Sequence, residues 1–462
     1  MKKIAISLLV LLSLSCARKP AAPVGEGGDA LFVPLKPSLT KLANGMEVMV
    51  LEDHEFPTLQ MQVYVKGGAL YDPAGKEGLA SVAMQTLRLG GAEGRDPLKI
   101  EEDLEFVGAS LEMGASVEFL SAGLSLMTKD ADLGLDILFD LLRKPALDAV
   151  RFGIVKERMK DAILRDQEDP LSLASREFPG FVYGPGSAWG RKATTATVTA
   201  VTREDVQKFC ADNLHPDRLL IAVSGDISEA DILAKLKART EGWEKATASL
   251  PEIPPIQPSF QAAAAVIPRK ELTQSTVVLG HLGTNRNNPD KFPLLVMNFV
   301  LGGSGSLTSR MGEEIRSNAG KAYDVWSDFG FGRDLGVFRA MAQTGIENTD
   351  WVVKKIAEMI TTLAKDGNVT PEEASKAKLA ILRSLVFDFE TRFAQVKEQA
   401  RFRLWGYPDD YLVRFQKGVA AVTPADVSRV AKSYLHPEGL KTLVITDEKE
   451  APKLGMEIRN VE

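Results

Sequence analysis

Cysteine and histidine are scarce in this chain, and each shortage excludes a class of protein. Among 462 residues there are two cysteines, Cys16 and Cys210, and four histidines, at positions 54, 215, 281 and 436. Two cysteines do not build a disulfide framework, and Cys210 is expected on a helix face, packed and inert. Four dispersed histidines leave little room for a histidine-rich metal site.

The chain also lacks an excess of positive charge. Lys and Arg number 56 and Asp and Glu number 62, so the formal net charge is 56 − 62 = −6. Nucleic-acid-binding proteins usually carry a strong basic patch, so no nucleic acid is expected as a main partner. Hydrophobic residues make up 45% and charged residues 26%, the balance of a soluble protein that buries a core over two or more domains.

The apolar run at the start of the chain, residues 4–14, is too short to cross a bilayer. It follows Lys2 and Lys3 and ends near Cys16, and it resembles a bacterial lipoprotein signal in which the cysteine is lipidated. We therefore predict a signal peptide over residues 1–16, ending at the lipidated Cys16, and a tether over residues 17–34. Ala17 after the cysteine favours the outer membrane, on its periplasmic side. The alternative is a plain secretory signal with an incidental cysteine.

An internal repeat divides the chain into two copies of one unit, offset by 423 − 202 = 221 residues. The segments 202–206 and 423–427, the Leu-His-Pro triplets at 214–216 and 435–437, and the strands that end at Asp226 and Asp447 correspond to one another. Each copy predicts a helix, a His-Pro turn and a strand, with Thr202 and Thr423 as helix N-caps. His215 and His436 occupy equivalent turns, so we interpret them as turn residues rather than ligands.

A proline-rich segment, LPEIPPIQP at residues 250–258, separates the two copies and should be extended and stiff. The predicted domains are an N-terminal half at 35–249, a linker at 250–260 and a C-terminal half at 261–462. In the first half, hydrophobic patterns predict strands at 46–51, 61–65, 109–112 and 115–127, and helices at 78–88, 133–142 and 148–166. The fold class is therefore α+β, with a mostly antiparallel sheet packed with helices in each half.

The most informative stretch is residues 301–325, which opens with the glycine-rich run at 302–305. No Gly-Lys-Ser/Thr follows this run, so it is not a phosphate-binding loop. The four-residue spacing of Leu307, Met311 and Ile315 predicts a helix, with Ser306 as its N-cap and Gly320 as its stop.

A strand is predicted next, at residues 322–326. Arg316 leaves the last turn of the predicted helix and Tyr323 enters this strand. The turn between them is therefore expected to let both side chains face one cleft.

This stretch resembles the second half of the pitrilysin/insulinase metallopeptidase family. That family carries a glycine-rich segment, a Ser-Arg pair, here Ser309 and Arg310, and then an arginine and a tyrosine seven positions apart, here Arg316 and Tyr323. In the family the last two bind the substrate backbone and the oxyanion of the tetrahedral intermediate. Without the resemblance, Arg316 would be a solvated helix arginine and Tyr323 a half-buried strand tyrosine.

The same resemblance implies that the substrate-binding residues are Gly302, Gly303, Ser304, Arg316 and Tyr323. It also implies a clam-shell architecture, in which two homologous halves from each chain surround a peptide chamber.

Catalytic members of the family carry a zinc motif, His-x-x-Glu-His, on the helix after a Gly-Leu-Ala segment. Here Gly-Leu-Ala is present at 78–80, but Ser81, Met84 and Gln85 stand where the first histidine, the catalytic glutamate and the second histidine belong. The third ligand, a glutamate, falls near Asp161 or Ala162, and the register set from the Asp-Pro at 169–170 gives Ala162. None of these side chains is a good zinc ligand, so this chain is predicted to bind no cofactor.

Some members of this family work as two-chain enzymes, in which one chain carries the zinc motif and the other the arginine and tyrosine. This chain resembles the second kind. The resemblance implies a zinc-free subunit, inactive alone, that binds unfolded peptides and pairs with a zinc-bearing homologous subunit as a heterodimer. The alternative is a structural or peptide-binding envelope lipoprotein without a catalytic role.

Overall fold

The computed structural model describes residues 31–184, 186–303 and 305–461, and its first sheet has six strands in the order β1-β2-β6-β3-β5-β4. Neighbouring strands are antiparallel except for the parallel pair β2 and β6. The strands are β1 (Ser38–Lys41), β2 (Glu47–Glu52), β3 (Thr58–Lys66), β4 (Ser110–Ala115), β5 (Phe119–Met127) and β6 (Leu219–Gly225). β4 therefore forms one edge of this sheet.

Helices cover the apolar face of the first sheet, because side chains alternate along each strand and only one set points inward. In β5 the inward set is Leu120, Ala122, Leu124 and Leu126, which packs with the buried faces of α1 and α3. The helices are α1 (Leu79–Leu89), α2 (Pro97–Phe106), α3 (Ala131–Arg143), α4 (Ala149–Glu168), α5 (Pro170–Tyr183), α6 (Thr195–Ala200), α7 (Arg203–Asn213) and α8 (Glu229–Thr240).

The second sheet has the order β10-β12-β8-β13-β7-β14, with β10 at an edge. Its strands are β7 (Ala263–Arg269), β8 (Gln274–Leu282), β10 (Asp324–Phe329), β12 (Val337–Gly345), β13 (Lys441–Asp447) and β14 (Glu457–Ile458), while β9 (Thr284–Asn285) and β11 (Phe331–Gly332) form a separate parallel pair. The helices are α9 (Lys291–Leu301), α10 (Thr349–Asp366), α11 (Pro371–Ser384), α12 (Arg392–Leu404), α13 (Tyr411–Ala421) and α14 (Pro424–Tyr434).

The two halves repeat one topology, which confirms the predicted α+β fold. The series β2-β6-β3-β5-β4 corresponds to β7-β13-β8-β12-β10, and in each series the first two strands are parallel and the rest antiparallel. Thr202 and Thr423 cap α7 and α14 in reciprocal hydrogen bonds with Asp205 and Asp426. The two His-Pro turns are also equivalent, since a short 3₁₀ turn follows each histidine.

One helix of each half packs on the sheet of the other half. The outer face of the second sheet is covered by α5 of the first half, through Leu173, Phe178 and Val182. The outer face of the first sheet is covered by α12 of the second half, through Val396 and Ala400. This exchange packs one helix of each half on the outer face of the other half's sheet and holds the halves together.

The predicted strand at 115–127 is wrong at its beginning. Ala115 ends β4, and a tight turn leads to β5 at Phe119. Ser116 makes this turn, because its N–H donates to Phe119 O at 2.8 Å and its hydroxyl accepts from Phe119 N at 3.2 Å. The dipeptide Asn44-Gly45, which is typical of hairpin turns, connects an antiparallel pair, β1 and β2.

The segment between the halves has no helix or strand over residues 251–262. Ile256 anchors it by packing with α5 and the second sheet. Cys210 lies buried in α7, as predicted, and burial raises the pKa of its thiol to about 12. Within the described part of the chain, no helix combines the length and the apolar character that crossing a membrane requires.

Candidate functional site

Arg316 lies on a π-helix, Gly312–Asn318, in which Ala319 N–H donates to Glu314 O, five residues back. π-Helical turns are rare and occur often at functional sites. The predicted helix starts too early: Met311 and Ile315 are buried, but Leu307 is 53% exposed and precedes the helix.

The N-cap is Ser309 rather than Ser306, since the Ser309 hydroxyl accepts from Gly312 N at 3.1 Å. A Cβ at Gly312 would lie 2.2 Å from Ser306 O. The loop at 306–307 therefore folds over the start of the π-helix instead of joining it.

A bidentate ion pair fixes the beginning of this helix. Arg310 donates to both carboxylate oxygens of Glu373, at 2.7 and 3.0 Å, and to Asn368 O at 2.7 Å. Burial alone would raise the pKa of Glu373, but hydrogen bonds from Arg310 and Thr370 lower it to about 2. Arg310 is therefore engaged in structure and is not free to bind a substrate.

Lys321 fixes the turn that follows the π-helix. Gly320 takes the left-handed conformation with φ of 62°, as predicted for a helix stop. Lys321 N–H donates to Ile315 O at 3.0 Å, and Lys321 O accepts from the buried Thr344 hydroxyl at 2.5 Å. The strand then begins at Asp324 rather than at residue 322.

The structure brings Arg316 and Tyr323 together across this turn. The guanidinium carbon of Arg316 lies 5.9 Å from the centroid of the Tyr323 ring, a cation–π contact. Tyr323 is 74% exposed. Among the described residues, neither the guanidinium nor the phenol hydroxyl has a hydrogen-bond or ion-pair partner. Both groups are thus free to donate to a ligand.

The glycine-rich run closes the edge of β10 beside this pair. Ser327 N–H donates to Gly302 O at 2.9 Å, and Asn298 Nδ2 donates to Ser327 O at 3.1 Å. A Cβ at Gly302 would lie 2.9 Å from Ser327 N, and one at Gly303 would lie 2.7 Å from Phe299 Cα. Glycine is required here by close backbone approach. Ser304 lies outside the described residues, as does Cys16.

The residues that the family resemblance places at the zinc ligands and the catalytic glutamate do not fit a zinc ion. Met84 is fully buried in the core, and Ala162 has no donor atom in its side chain. The Gln85 amide donates to Met113 O at 2.6 Å. In the described ranges, no group of three or more His, Cys, Asp or Glu side chains is arranged to hold a metal. No step of a reaction is therefore assigned to a metal on this chain.

A buried aspartate holds the loop before α1. Asp72 is buried, and its carboxylate accepts from Gly78 N at 2.7 Å and from Ala80 N at 2.9 Å. Burial raises the pKa of Asp72 to about 6, while the two backbone hydrogen bonds oppose that rise. Asp72 thus bonds to the first turn of α1, the helix on which the family resemblance places the zinc motif.

The sequence pattern does not reveal the residues that hold the Arg316–Tyr323 pair in place. Thr344 acts on Lys321 from 23 residues away, and Glu373 acts on Arg310 from 63 residues away. No local pattern reports such contacts. The Thr-Pro-Glu-Glu sequence at 370–373 does carry a capping-box signal, which identifies the start of α11 but not its link to Arg310.

Two models of one peptidase family match this chain. The model described as "Insulinase (Peptidase family M16)" matches residues 47–168, and the one described as "Peptidase M16 inactive domain" matches residues 200–381. Together they cover more than half of the 462 residues, and they fall on the two repeated halves in order.

Curated relatives include an uncharacterized zinc protease of Streptomyces coelicolor, 25% identical over 382 residues that cover 80% of this chain and 82% of the relative. The beta subunit of a mitochondrial-processing peptidase from Lentinula edodes is 24% identical over 431 residues, covering 86% of this chain and 87% of that protein.

Among solved structures, the peptidase M16 inactive domain from Pseudomonas fluorescens matches with a TM-score of 0.79 and 22% identity, over 89% of this chain and 98% of that chain. This solved structure shares the fold of the repeated halves. The two matched family models together show that this chain belongs to the insulinase (pitrilysin) family of peptidases.

Proposed function

We propose that this chain is the zinc-free subunit of a heteromeric zinc metallopeptidase. The proposal rests on the contrast between the Arg316–Tyr323 pair and the residues at the zinc-ligand positions. Arg316 and Tyr323 lie together with unpaired donors, while Ser81, Gln85 and Ala162 occupy the zinc-ligand positions. A zinc-bearing homologous subunit would supply the metal and the attacking water.

The chemistry of the pair suits the transition state of peptide hydrolysis. Attack on the peptide carbonyl places a negative charge on its oxygen, and preorganised donors lower the energy of that charge. The Tyr323 hydroxyl would donate one hydrogen bond to the oxyanion. The Arg316 guanidinium is always charged and offers several donors, so it would hold the peptide backbone as well.

The comparisons support a pairing without naming the partner. The model that matches the second half is described as an inactive domain. One relative is named as the beta subunit of a processing peptidase, and thus as one part of an assembly. A partner that carries the zinc motif would complement this chain across a shared peptide chamber.

A second candidate function is a structural or peptide-binding envelope lipoprotein without catalysis. The contacts that hold the π-helix, Arg310 with Glu373 and Lys321 with Thr344, would be retained in that case too. The free donors of Arg316 and Tyr323 favour the catalytic proposal, because a purely structural surface has no need of them.

Purified alone, the chain is expected to contain no stoichiometric zinc and to cleave no peptide. Serine, glutamine and alanine are poor or impossible ligands at the three positions. Elemental analysis after dialysis against zinc, beside a peptide-cleavage assay, measures both properties. A variant carrying Ser81→His, Gln85→His and Ala162→Glu is the control for metal uptake. Stoichiometric zinc in the unmodified chain would contradict the assignment.

We further propose that Cys16 carries lipid and holds the protein on a bacterial envelope membrane, on the periplasmic side of the outer membrane. Cys16→Ser is expected to abolish processing of the signal and to release the protein from the membrane fraction. More than one acyl chain is needed for stable anchoring, so intact lipidation should give firm attachment. Cys210→Ser is the matched control, since that thiol is buried. Unchanged processing and fractionation of Cys16→Ser would exclude lipidation.

A further inference from the structure

Because the two halves repeat one topology, a group of elements in the C-terminal half has a structural counterpart in the N-terminal half. We call each group a corner, and the N-terminal corner carries the helix on which the family resemblance places the zinc motif. In the first half α1 packs on α4 and on the edge strand β4, and in the second half α9 packs on α11 and on the edge strand β10. Each helix follows the second strand of its repeat, and each edge strand follows that helix. The two corners are therefore structurally equivalent.

In the first half, side chains of α1 fill this corner and bond to the edge strand. Gln85 Nε2 donates to Met113 O at 2.6 Å, and Arg88 Nε donates to Leu111 O at 2.6 Å. Both acceptors are main-chain carbonyls of β4, so side chains of α1 occupy the edge at which an extended peptide would pair. Arg88 is itself held by Glu101 on α2.

The equivalent corner in the second half keeps a cavity, although the edge of β10 is bonded at Ser327 by Gly302 and Asn298. A cavity of about 590 Å³ lies between α9, α11 and β10, and it is bordered by Gly303 and Gly305 of the glycine-rich run. This volume falls within the usual range of ligand pockets. Asp324, which lines the cavity, directly follows Tyr323 in the chain. The cavity thus adjoins the Arg316–Tyr323 pair.

The walls of this cavity are mainly apolar. Leu295 and Phe299 of α9, Ile381 of α11 and Trp326 of β10 line it. The polar groups of Asn298 and Ser327 are already paired with each other, at 2.8 and 3.1 Å. The carboxylate of Asp324 lies at the same cavity and would repel an acidic ligand, whereas that of Asp328 is paired with Arg339 at 3.8 Å.

We propose that this cavity is a specificity pocket that takes one bulky apolar side chain, aromatic or large aliphatic, of the peptide bound at Arg316 and Tyr323. Because Gly302 and Asn298 already bond to Ser327 at the edge of β10, the peptide side chain would enter beside this edge, without backbone pairing to it. The pocket would fix the register of the peptide relative to the pair. This inference rests on the proposed function, because it assumes that the pair is a peptide site.

The test is direct binding to the full chain, with neither partner nor turnover. The probes are fluorescent serine-glycine peptides of one length that carry a single phenylalanine, alanine or glutamate, and the readout is fluorescence anisotropy. Burying a phenylalanine side chain should tighten binding about 10- to 100-fold over alanine. The glutamate peptide should bind no better than the alanine peptide.

Two variants test whether the preference for the phenylalanine peptide arises in the cavity. Ile381→Trp fills the pocket from α11, and Ser384→Trp does so from the exposed end of the same helix, where folding tolerates it. Both should abolish the preference for phenylalanine. Leu164→Trp adds the same ring to the exposed surface of α4 and is the matched control. Equal affinities for the phenylalanine and alanine peptides, a preference that survives both cavity variants, or no peptide binding at all would overturn the pocket.

Failure of the pocket and failure of the proposed function are distinguishable. If the pocket is wrong while Tyr323→Phe lowers turnover of the complex, the catalytic role stands without it. If the phenylalanine preference depends on the cavity while Tyr323→Phe leaves turnover unchanged, the chain binds peptides without catalysing.

Discussion

Replacing Tyr323 by phenylalanine is expected to lower turnover of the assembled complex by about 10²–10³, with little change in peptide affinity. The substitution removes one exposed hydroxyl and keeps the ring that contacts Arg316. The hydroxyl would donate to a charge that exists only after attack on the carbonyl, so its loss raises the barrier rather than weakening the ground state. Steady-state kinetics on the complex, with peptide binding measured separately, give both quantities.

Two further variants serve as comparisons for the effect of Tyr323→Phe. Arg316→Ala should weaken both affinity and turnover, since the guanidinium also holds the peptide backbone. Tyr434→Phe removes a hydroxyl that bonds to Asn288 and Asp290, outside the site, and should leave turnover near the wild-type value. Unchanged turnover in Tyr323→Phe would show that the pair has no catalytic role and would favour the structural candidate function.

Phe178→Ala should destabilise the whole chain by about 3–5 kcal/mol. Phe178 belongs to α5 of the first half, but its ring is buried against the sheet of the second half and is only 2% exposed. Gly280 lies beside the end of the ring, where a Cβ would be 3.1 Å from Phe178 Cζ and, more severely, 2.0 Å from Phe338 O. Truncation leaves a cavity at the junction that other side chains fill only in part.

Denaturant unfolding measures this effect. Leu171→Ala on the same helix is the control, because Leu171 is 37% exposed and its truncation should cost less than about 1 kcal/mol. Since each half lends a helix to the other, the wild-type chain should unfold in one transition. Two separate transitions, or equal losses for Phe178→Ala and Leu171→Ala, would show that the exchanged helices do not couple the halves.

The repeat, the α+β class and the capped helices were readable from the sequence because their signals are local. Thr202 and Thr423 each meet an aspartate three residues on, and period-two alternation marks β5. The exchange of α5 and α12 was not readable. Hydrophobic periodicity shows that a helix face is buried but not which sheet buries it.

The candidate site was predictable in part, for the same reason. The spacing of Arg316 and Tyr323 and the glycine stop between them indicated a shared cleft, and the two side chains do meet. The π-helical register was not predictable, because periods of four fit an α-helix and a wider helix alike over so few residues. The N-cap prediction at Ser306 was wrong because the loop folds over Gly312, a tertiary contact.

The most direct test of the zinc-free subunit is purification of the native protein from its own cells together with whatever it binds. The account predicts that a homologue with an intact zinc motif co-purifies. It also predicts that the complex cleaves unfolded peptides, that a chelator abolishes cleavage and that added zinc restores it. A chain that purifies alone or with proteins lacking the zinc motif, and without chelator-sensitive cleavage, would contradict it.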